Sequence, residues 1–240
     1  MSNQKIIGVD IGNTFIKSAE FTDTDIGEVK KWQTIEKLAT QYTDARFVIS
    51  NVSISEDQLD VRFKEHFIVN AKTPLPIDLD YDSQETLGSD RIAAAVGGWS
   101  LFPKRDILIV DVGTCITYDL VTKDGVFRGG MISPGLDMRL KAMHEFTENL
   151  PLITDGDENF GLDWVGKTTK ECIWLGAKNG MKSEIDGVLE SFNKKHDHLQ
   201  VVVTGGWALD FESTTKAHIF ADSKIVLEGL HAIWKLNEAN

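Results

Sequence analysis

Asp10, Asn13, Thr14 and Lys17 have the types and spacing for phosphate chemistry, in the run D-I-G-N-T-F-I-K at residues 10–17. A carboxylate such as Asp10 holds a hydrated Mg²⁺, and an ammonium such as Lys17 reaches a phosphate oxygen. Between them Gly12, Asn13 and Thr14 supply backbone N–H groups and small polar side chains. Successive N–H groups in a turn form a concave anion site. Ile6-Ile7-Gly8-Val9 before Asp10 reads as a buried strand, and 15–21 reads as its hairpin partner. Gly12 and Asn13 tolerate the positive φ that a tight hairpin turn needs. The chain has no G-x-x-x-x-G-K-[ST] and no helix directly after the turn, so this is not a P-loop. Taken alone, the stretch is also consistent with an ordinary structural hairpin.

A second copy changes the reading. Residues 108–119, L-I-V-D-V-G-T-C-I-T-Y-D, repeat the design of apolar strand, Asp, β-branched residue, Gly, small polar residue and strand. Asp111 and Gly113 take the places of Asp10 and Gly12, about a hundred residues later. Such a repeat suggests two similar domains facing each other, with two hairpins gripping a nucleotide's phosphates from both sides. The boundary falls near 103–106, dividing the chain into units 1–104 and 105–240.

The elements that must position these hairpins follow from periodicity and punctuation. In the first unit a third strand is expected over 27–34, a helix over 35–42, a strand over 46–50, a helix over 56–66 with Ser55 as its cap, and a strand over 67–71. Residues 72–87, with Pro74, Pro76 and many acids, read as a loop. Gly88 opens a helix through 101 whose Ile92-Ala93-Ala94-Ala95-Val96 permits close helix approach. In the second unit strands are expected over 107–112, 115–121, 126–132, 200–204 and 218–221, and helices over 136–150, 168–195 and from Ser223 through 236. Gly176, Gly180 and Gly187 in the long helix each cost about 1 kcal/mol relative to Ala, which suggests close packing against something.

The pair D-I-G-N-T-x-x-K and D-V-G-T resembles the acetate/sugar kinase–Hsp70–actin superfamily. Within it Leu87-Gly88-Ser89-Asp90-Arg91, residues 129–135 (G-G-M-I-S-P-G) and Leu150-Pro151 are similar to the type III pantothenate kinases. The resemblance runs from Asp10 to at least Gly206 and rests on the motifs in this order. It implies an α/β fold of two duplicated ribonuclease-H-like domains, the actin-like ATPase fold, with the nucleotide cleft between them. It implies ATP-dependent phosphorylation of pantothenate, the first step toward coenzyme A. ATP with Mg²⁺ is assigned to Asp10, Ile11, Gly12, Asn13, Thr14, Phe15, Ile16 and Lys17, and to Thr114. A monovalent cation, K⁺ or NH₄⁺, is assigned to Asp111. Asp90 becomes the general base, its carboxylate kept ionised by the helix start and by Arg91. Gly88, Ser89, Asp90, Arg91, Tyr81 and Thr169 become substrate-binding. The family is dimeric, which makes a homodimer the expectation.

One departure stands out: the family's Tyr-x-Asn-Pro is here Tyr81-Asp82-Ser83-Gln84, so the substrate loop need not follow the family's path. Each residue also has a plainer reading: Asp90 as an acid at a helix start, Tyr81 as a surface Tyr, Thr169 as an N-terminal cap. Two other functions fit the same motifs, a kinase for another small hydroxylated substrate and a non-catalytic nucleotide-binding regulator of the same fold.

Bulk properties narrow the class. A net charge of −12 argues against nucleic-acid or membrane-surface binding, so an anionic substrate must be held by local features. Cys115 and Cys172 make no disulfide framework. No signal peptide and no apolar run near the ~20 residues that span a bilayer are present, so a cytoplasmic protein is expected.

Overall fold

In the computed structural model, which describes residues 4–153, 164–206 and 218–238, two mixed sheets of the same connectivity face each other across a pair of helices. The first sheet holds β1 (Ile6–Ile11), β2 (Ile16–Phe21), β3 (Lys30–Trp32), β4 (Arg46–Asn51) and β5 (Glu65–Ile68), in the order β3-β2-β1-β4-β5. The second holds β6 (Asp78–Leu79), β7 (Ile107–Val112), β8 (Cys115–Val121), β9 (Val126–Pro134), β10 (Gln200–Thr204) and β11 (His218–Ala221), in the order β11-β10-β7-β8-β9-β6. In each, the first two connections are antiparallel and the next two strands lie parallel to the first. With β6 set aside, the second sheet repeats the first strand for strand.

The helices are α1 (Ile35–Gln41), α2 (Glu56–Arg62), α3 (Ser89–Leu101), α4 (Leu136–Glu145), α5 (Thr169–Asn193) and α6 (Ile225–Glu238). Three cores define five layers. Ile7, Val9, Ile11 and Phe47 pack under α1 and α2. Leu108, Val110, Val112, Val201 and Val203 pack under α4 and α5. The middle core joins Phe21 and Val48 of the first sheet, Ile107, Ile109 and Val202 of the second, and the apolar faces of α3 and α6. Central strands covered on both faces read as continuous apolar runs, as I-L-I-V in β7 does.

The two-residue period of a strand then aims the acids. Odd positions of β1 face the outer core, so Gly8 and Asp10 face the middle layer. In β7 the even positions face outward, so Ile107, Ile109 and Asp111 face the middle layer. The two carboxylates therefore converge from opposite sheets at the carboxyl ends of their strands, where open α/β sheets bind ligands.

The middle layer is tight because two helices nearly touch through their backbones. A Cβ on Gly229 of α6 would lie 1.7 Å from the Ala93 carbonyl oxygen of α3, and one on Gly97 would lie 2.2 Å from that of Ile225. The small residues of α3 thus do what their sequence suggests. Although α6 comes from the second half of the chain, it packs on β1, β2 and β4.

Some expectations change. The β1–β2 turn is made without positive φ at Gly12 or Asn13. The register Ile11↔Ile16 leaves four connecting residues, enough to avoid the mirror-image turns of two-residue hairpins. Helix α2 ends at Arg62 and β5 begins at Glu65, earlier than periodicity suggests. Phe63 leaves the helix in an extended conformation and packs its ring against Phe47, with centroids 4.2 Å apart and planes tilted by 40°, which turns the chain toward the sheet. The loop 72–87 contains the short β6 and a 3₁₀ turn, Gln84–Thr86. A Cβ added at Gly176, Gly180 or Gly187 of α5 would meet nothing within 4 Å, so among the described residues of this chain no close packing explains these glycines. No helix of the described residues is long and apolar enough to cross a membrane.

Candidate active site

The two turns meet. Thr14 and Thr114, a hundred residues apart in sequence, share a hydrogen bond between their hydroxyls at 3.0 Å. Beneath them lies a cleft of about 250 Å³, lined by Asp10, Gly12, Asn13, Thr14, Phe15 and Lys17 from the first hairpin. Asp111, Gly113 and Thr114 from the second hairpin, Asp90 from α3, and Gly205-Gly206 after β10 complete its walls. A larger hollow of about 580 Å³ lies elsewhere, at the β4–β5 edge. Its Arg46 is already paired with Glu238 at 2.9 Å, and it collects none of the phosphate-type residues.

Each hairpin is held from behind. Gly12 N–H donates to the Phe15 carbonyl (3.2 Å), and Gly113 N–H donates to the Cys115 carbonyl (3.0 Å). Lys17 lies directly across the ladder from Asp10. Ile11 and Ile16 are buried in the outer core and are absent from the cleft lining. The seat of the second hairpin is the end of β9, where Gly135 N–H donates to the Thr114 carbonyl at 3.0 Å. That end is tied to α5 by Glu184, which accepts from Ser133, Tyr118 and Arg139.

The start of α3 is anchored to the first sheet by Ser89. Its hydroxyl accepts the Asn51 N–H at 2.7 Å and donates to the Asn51 carbonyl at 3.1 Å. The Ser89 side chain is thereby occupied, and Ser89 is absent from the cleft lining. Gly88 is the N-cap, and its missing side chain is where Asp90 sits: a Cβ there would fall 2.5 Å from Asp90 Oδ1. The G-x-D spacing thus clears a place for a carboxylate at the positive end of a helix.

Electrostatically the cleft is short of cations. Burial pushes the Asp10 carboxyl up to about 7; Lys17 opposes this, while Asp90 and Asp111 reinforce it. Burial likewise pushes Asp111 up to about 6. Asp90 is also raised, chiefly by burial, against the opposing pull of the Arg91 N–H (2.7 Å) and the Arg91 charge. The Arg91 N–H and charge thus favour the ionised form, as expected from the sequence, while burial, which the sequence does not show, opposes them. Part of the Arg91 guanidinium is engaged elsewhere, through Nε and Nη2, in its pair with Asp119.

Arg91 and Tyr81 lie together behind Asp90, outside the cleft lining, with Arg91 Cζ 5.8 Å from the Tyr81 ring centroid. The loop reaches this place without Asn-Pro because β6 joins the second sheet, pairing Asp78 with Val126 and Leu79 with Phe127. Thr169 is the first residue of α5, exposed and absent from the cleft. The cap is its neighbour: Thr168 forms a capping box with Glu171, so the plainer reading of Thr169 as a cap is overturned. Sequence reasoning missed Thr117 and Asp137, which also line the cleft. Asp137 stands two residues after the G-G-M-I-S-P-G run at the start of α4, a place the motif could have flagged.

The arrangement can hold an anion chain between two N–H-rich turns, neutralise it with Lys17 and bound cations, and offer a carboxylate at its far end. Among the described residues no three His, Cys, Asp or Glu converge to chelate an ion directly. That suits Mg²⁺, which keeps its waters and binds through one or two carboxylates plus substrate phosphates.

Comparison with known proteins gives consistent results. A sequence model of the type III pantothenate kinase family matches residues 6–191. The chain is 38% identical over 236 residues to a type III pantothenate kinase of Cytophaga hutchinsonii, covering 96% of this chain and 99% of that one. It is 38% identical over 238 residues to the Bacteroides fragilis protein of the same name, covering 95% and 97%. Among solved structures it is similar to a Baf family transcriptional activator from Campylobacter jejuni, at a TM-score of 0.65, 21% identity and coverage of 98% and 100%. It is also similar to MreB 5 of Spiroplasma citri bound to AMPPNP, at a TM-score of 0.52, 11% identity and coverage of 100% and 98%. These last two likenesses carry the actin-like ATPase fold.

Proposed function

The chain belongs to the type III pantothenate kinase family, and from that premise we infer that its cleft transfers the γ-phosphoryl group of ATP to the primary hydroxyl of pantothenate. The observation that carries this reading is the convergence of Asp10, Lys17, Asp111, Thr114 and Asp90 on one cleft beneath two touching turns.

The turn amides of 13–15 and 114, which the hairpins leave to the cleft side, cradle the phosphates, and Lys17 neutralises part of their charge. Mg²⁺ would be held by Asp10, and it supplies charge neutralisation on the nucleotide. The raised pKa values of Asp10 and Asp111 support cation binding, because a cation relieves the crowding of buried carboxylates. We assign the monovalent cation, K⁺ or NH₄⁺, to Asp111. Gly205-Gly206, whose backbone lines the cleft after β10, would face the nucleoside. Asp90 accepts the proton of the acceptor hydroxyl as its oxygen attacks phosphorus. Burial makes Asp90 a stronger base than a free carboxylate, which matches this task. Phosphoryl transfer passes through a loose transition state, so positioning and charge neutralisation supply most of the acceleration. The helix-start amides at Gly88 and Ser89, with Arg91 and Tyr81, take the acidic acceptor.

A homodimer fits the surface. Met131 and Ile132 of β9, Met138 of α4 and Phe146 just beyond it are exposed apolar side chains. Thr169, outside the cleft of its own chain, would serve as a substrate ligand across such an interface.

The test is ADP release that depends on pantothenate, run in potassium and in sodium buffers. We expect turnover only with pantothenate present, and faster in potassium. ATP hydrolysis indifferent to pantothenate would overturn the acceptor, and equal rates in the two buffers would remove the monovalent cation from Asp111.

A further inference from the structure

Arg91 is fixed in place by a carboxylate that the reaction above does not use. Asp119 lies on β8 two residues beyond Thr117, which lines the cleft. By the period of the strand both face the middle layer, as Val121 does. Asp119 is 1% exposed, and Arg91 is 8% exposed. Arg91 Nε donates to both oxygens of Asp119, at 3.0 and 3.2 Å, and Nη2 donates to Oδ1.

A buried ion pair is poor evidence of a stabilising role, since apolar side chains of similar volume often serve stability as well or better. What the pair does fix is orientation. It engages Nε and one Nη N–H of a rigid five-donor fork, so three N–H groups lie beyond it. The fork is held from its sides too. The rings of Tyr81 and Phe127 each lie 5.8 Å from Arg91 Cζ and 5.9 Å from one another. Tyr81 has room because Gly129, at φ 76°, has no side chain; a Cβ there would be 3.1 Å from the Tyr81 ring. The segment bearing Tyr81 is pinned by the Asp80 N–H on the Phe127 carbonyl at 3.0 Å and by the Asp80–Arg128 ion pair.

We propose that Asp119 is the positioning residue for acceptor recognition, orienting Arg91 so that the outer N–H groups of its guanidinium meet the carboxylate of the acceptor. The inference rests on the pantothenate reading. Paired with Asp119, the empty site holds no uncompensated buried cation, and the fork has its binding geometry before the acid arrives. Planar, bidentate recognition of carboxylate depends on that geometry.

The test compares kcat/KM for pantothenate with that for its neutral carboxamide, in the wild type and in Asp119→Asn. The wild type should prefer the acid. In Asp119→Asn that preference should fall about tenfold or more, through KM for pantothenate, while KM for ATP stays within about twofold. A merely structural role would lower activity with both acceptors alike. An unchanged preference, or a wild type indifferent to the acceptor's charge, therefore overturns the proposal. If Asp119→Asn fails to fold, Asp119→Glu keeps the charge and moves the carboxylate by one methylene; the same fall supports the proposal and an unchanged preference overturns it. A wild-type protein that does not phosphorylate pantothenate at all would remove the underlying reading, and that is seen before any variant is made.

Discussion

Asp10 is a carboxylate held where water cannot solvate it, and this has a consequence for stability. Its folded pKa of about 7 lies above its ordinary value of 3.8. Between those values the folded chain holds a proton that the unfolded chain has released, so the stability of the cation-free protein falls as pH rises from about 4 to about 7. Asp10→Asn removes that titration. We expect thermal unfolding in a chelator to show a flatter pH slope for the variant, and a higher Tm than wild type at pH 7. An unchanged slope would mean that Asp10 is not crowded in solution. The same residue shows what was legible in sequence and what was not. That Asp10, Asp111 and Thr114 come together in one cleft was readable because the motif occurs twice. The upward shift of Asp90 was not, because burial depends on elements distant in sequence. Asp119 lay hidden for the same reason: nothing in T-Y-D reveals that the strand's alternation turns it toward Arg91.

At the scale of elements, the second hairpin is only as fixed as the β9–α4 turn on which it rests. Glu184 ties that turn to α5. Burial pushes its carboxyl up, but the hydroxyl of Ser133, the guanidinium of Arg139 and the hydroxyl of Tyr118 together hold it below its usual value. A lowered carboxylate contributes stability that is present above its unfolded pKa of 4.5 and is lost as pH falls through the folded value. Glu184→Ala leaves Arg139 and two hydroxyls without their acceptor, at a cost of about 1–3 kcal/mol. For a chain of this size that corresponds to a fall in Tm of roughly 2–12 °C at neutral pH. The difference from wild type should shrink toward pH 3. A difference that grows in acid would contradict this reading. The elements themselves were largely readable. The exceptions, β6 and the early end of α2, are set by partners: β6 exists only by pairing with β9, and α2 stops where Phe63 finds Phe47.

Across the whole molecule, the two sheets share one central core through α3 and α6. The proposed units 1–104 and 105–240 are therefore coupled. Gly229→Ala puts a methyl group against the Ala93 carbonyl, which has no flexible end to yield. Overpacking costs typically 1–3 kcal/mol, and we expect the upper part of that range. Urea unfolding followed at Trp32 on β3 and at Trp174 on α5, in otherwise tryptophan-free chains, should shift together to lower midpoints. Separate transitions at the two probes would show that the halves unfold independently. Coupling of this kind matters for the proposed catalysis, because the hairpins assigned to ATP come from opposite sheets and must keep their spacing while Asp90 is presented from the helix between them.

The most direct test of that arrangement is single-turnover transfer of the labelled γ-phosphoryl group from ATP to pantothenate, in wild type and in Asp90→Asn. The account predicts label on the primary hydroxyl of pantothenate in the wild type. In Asp90→Asn it predicts a fall in rate of about a hundredfold or more, toward the lower end of the ~10²–10⁴ range of base catalysis, with ATP affinity nearly unchanged. Label on no acceptor in the wild type, or transfer by Asp90→Asn within about threefold of wild type, would contradict it.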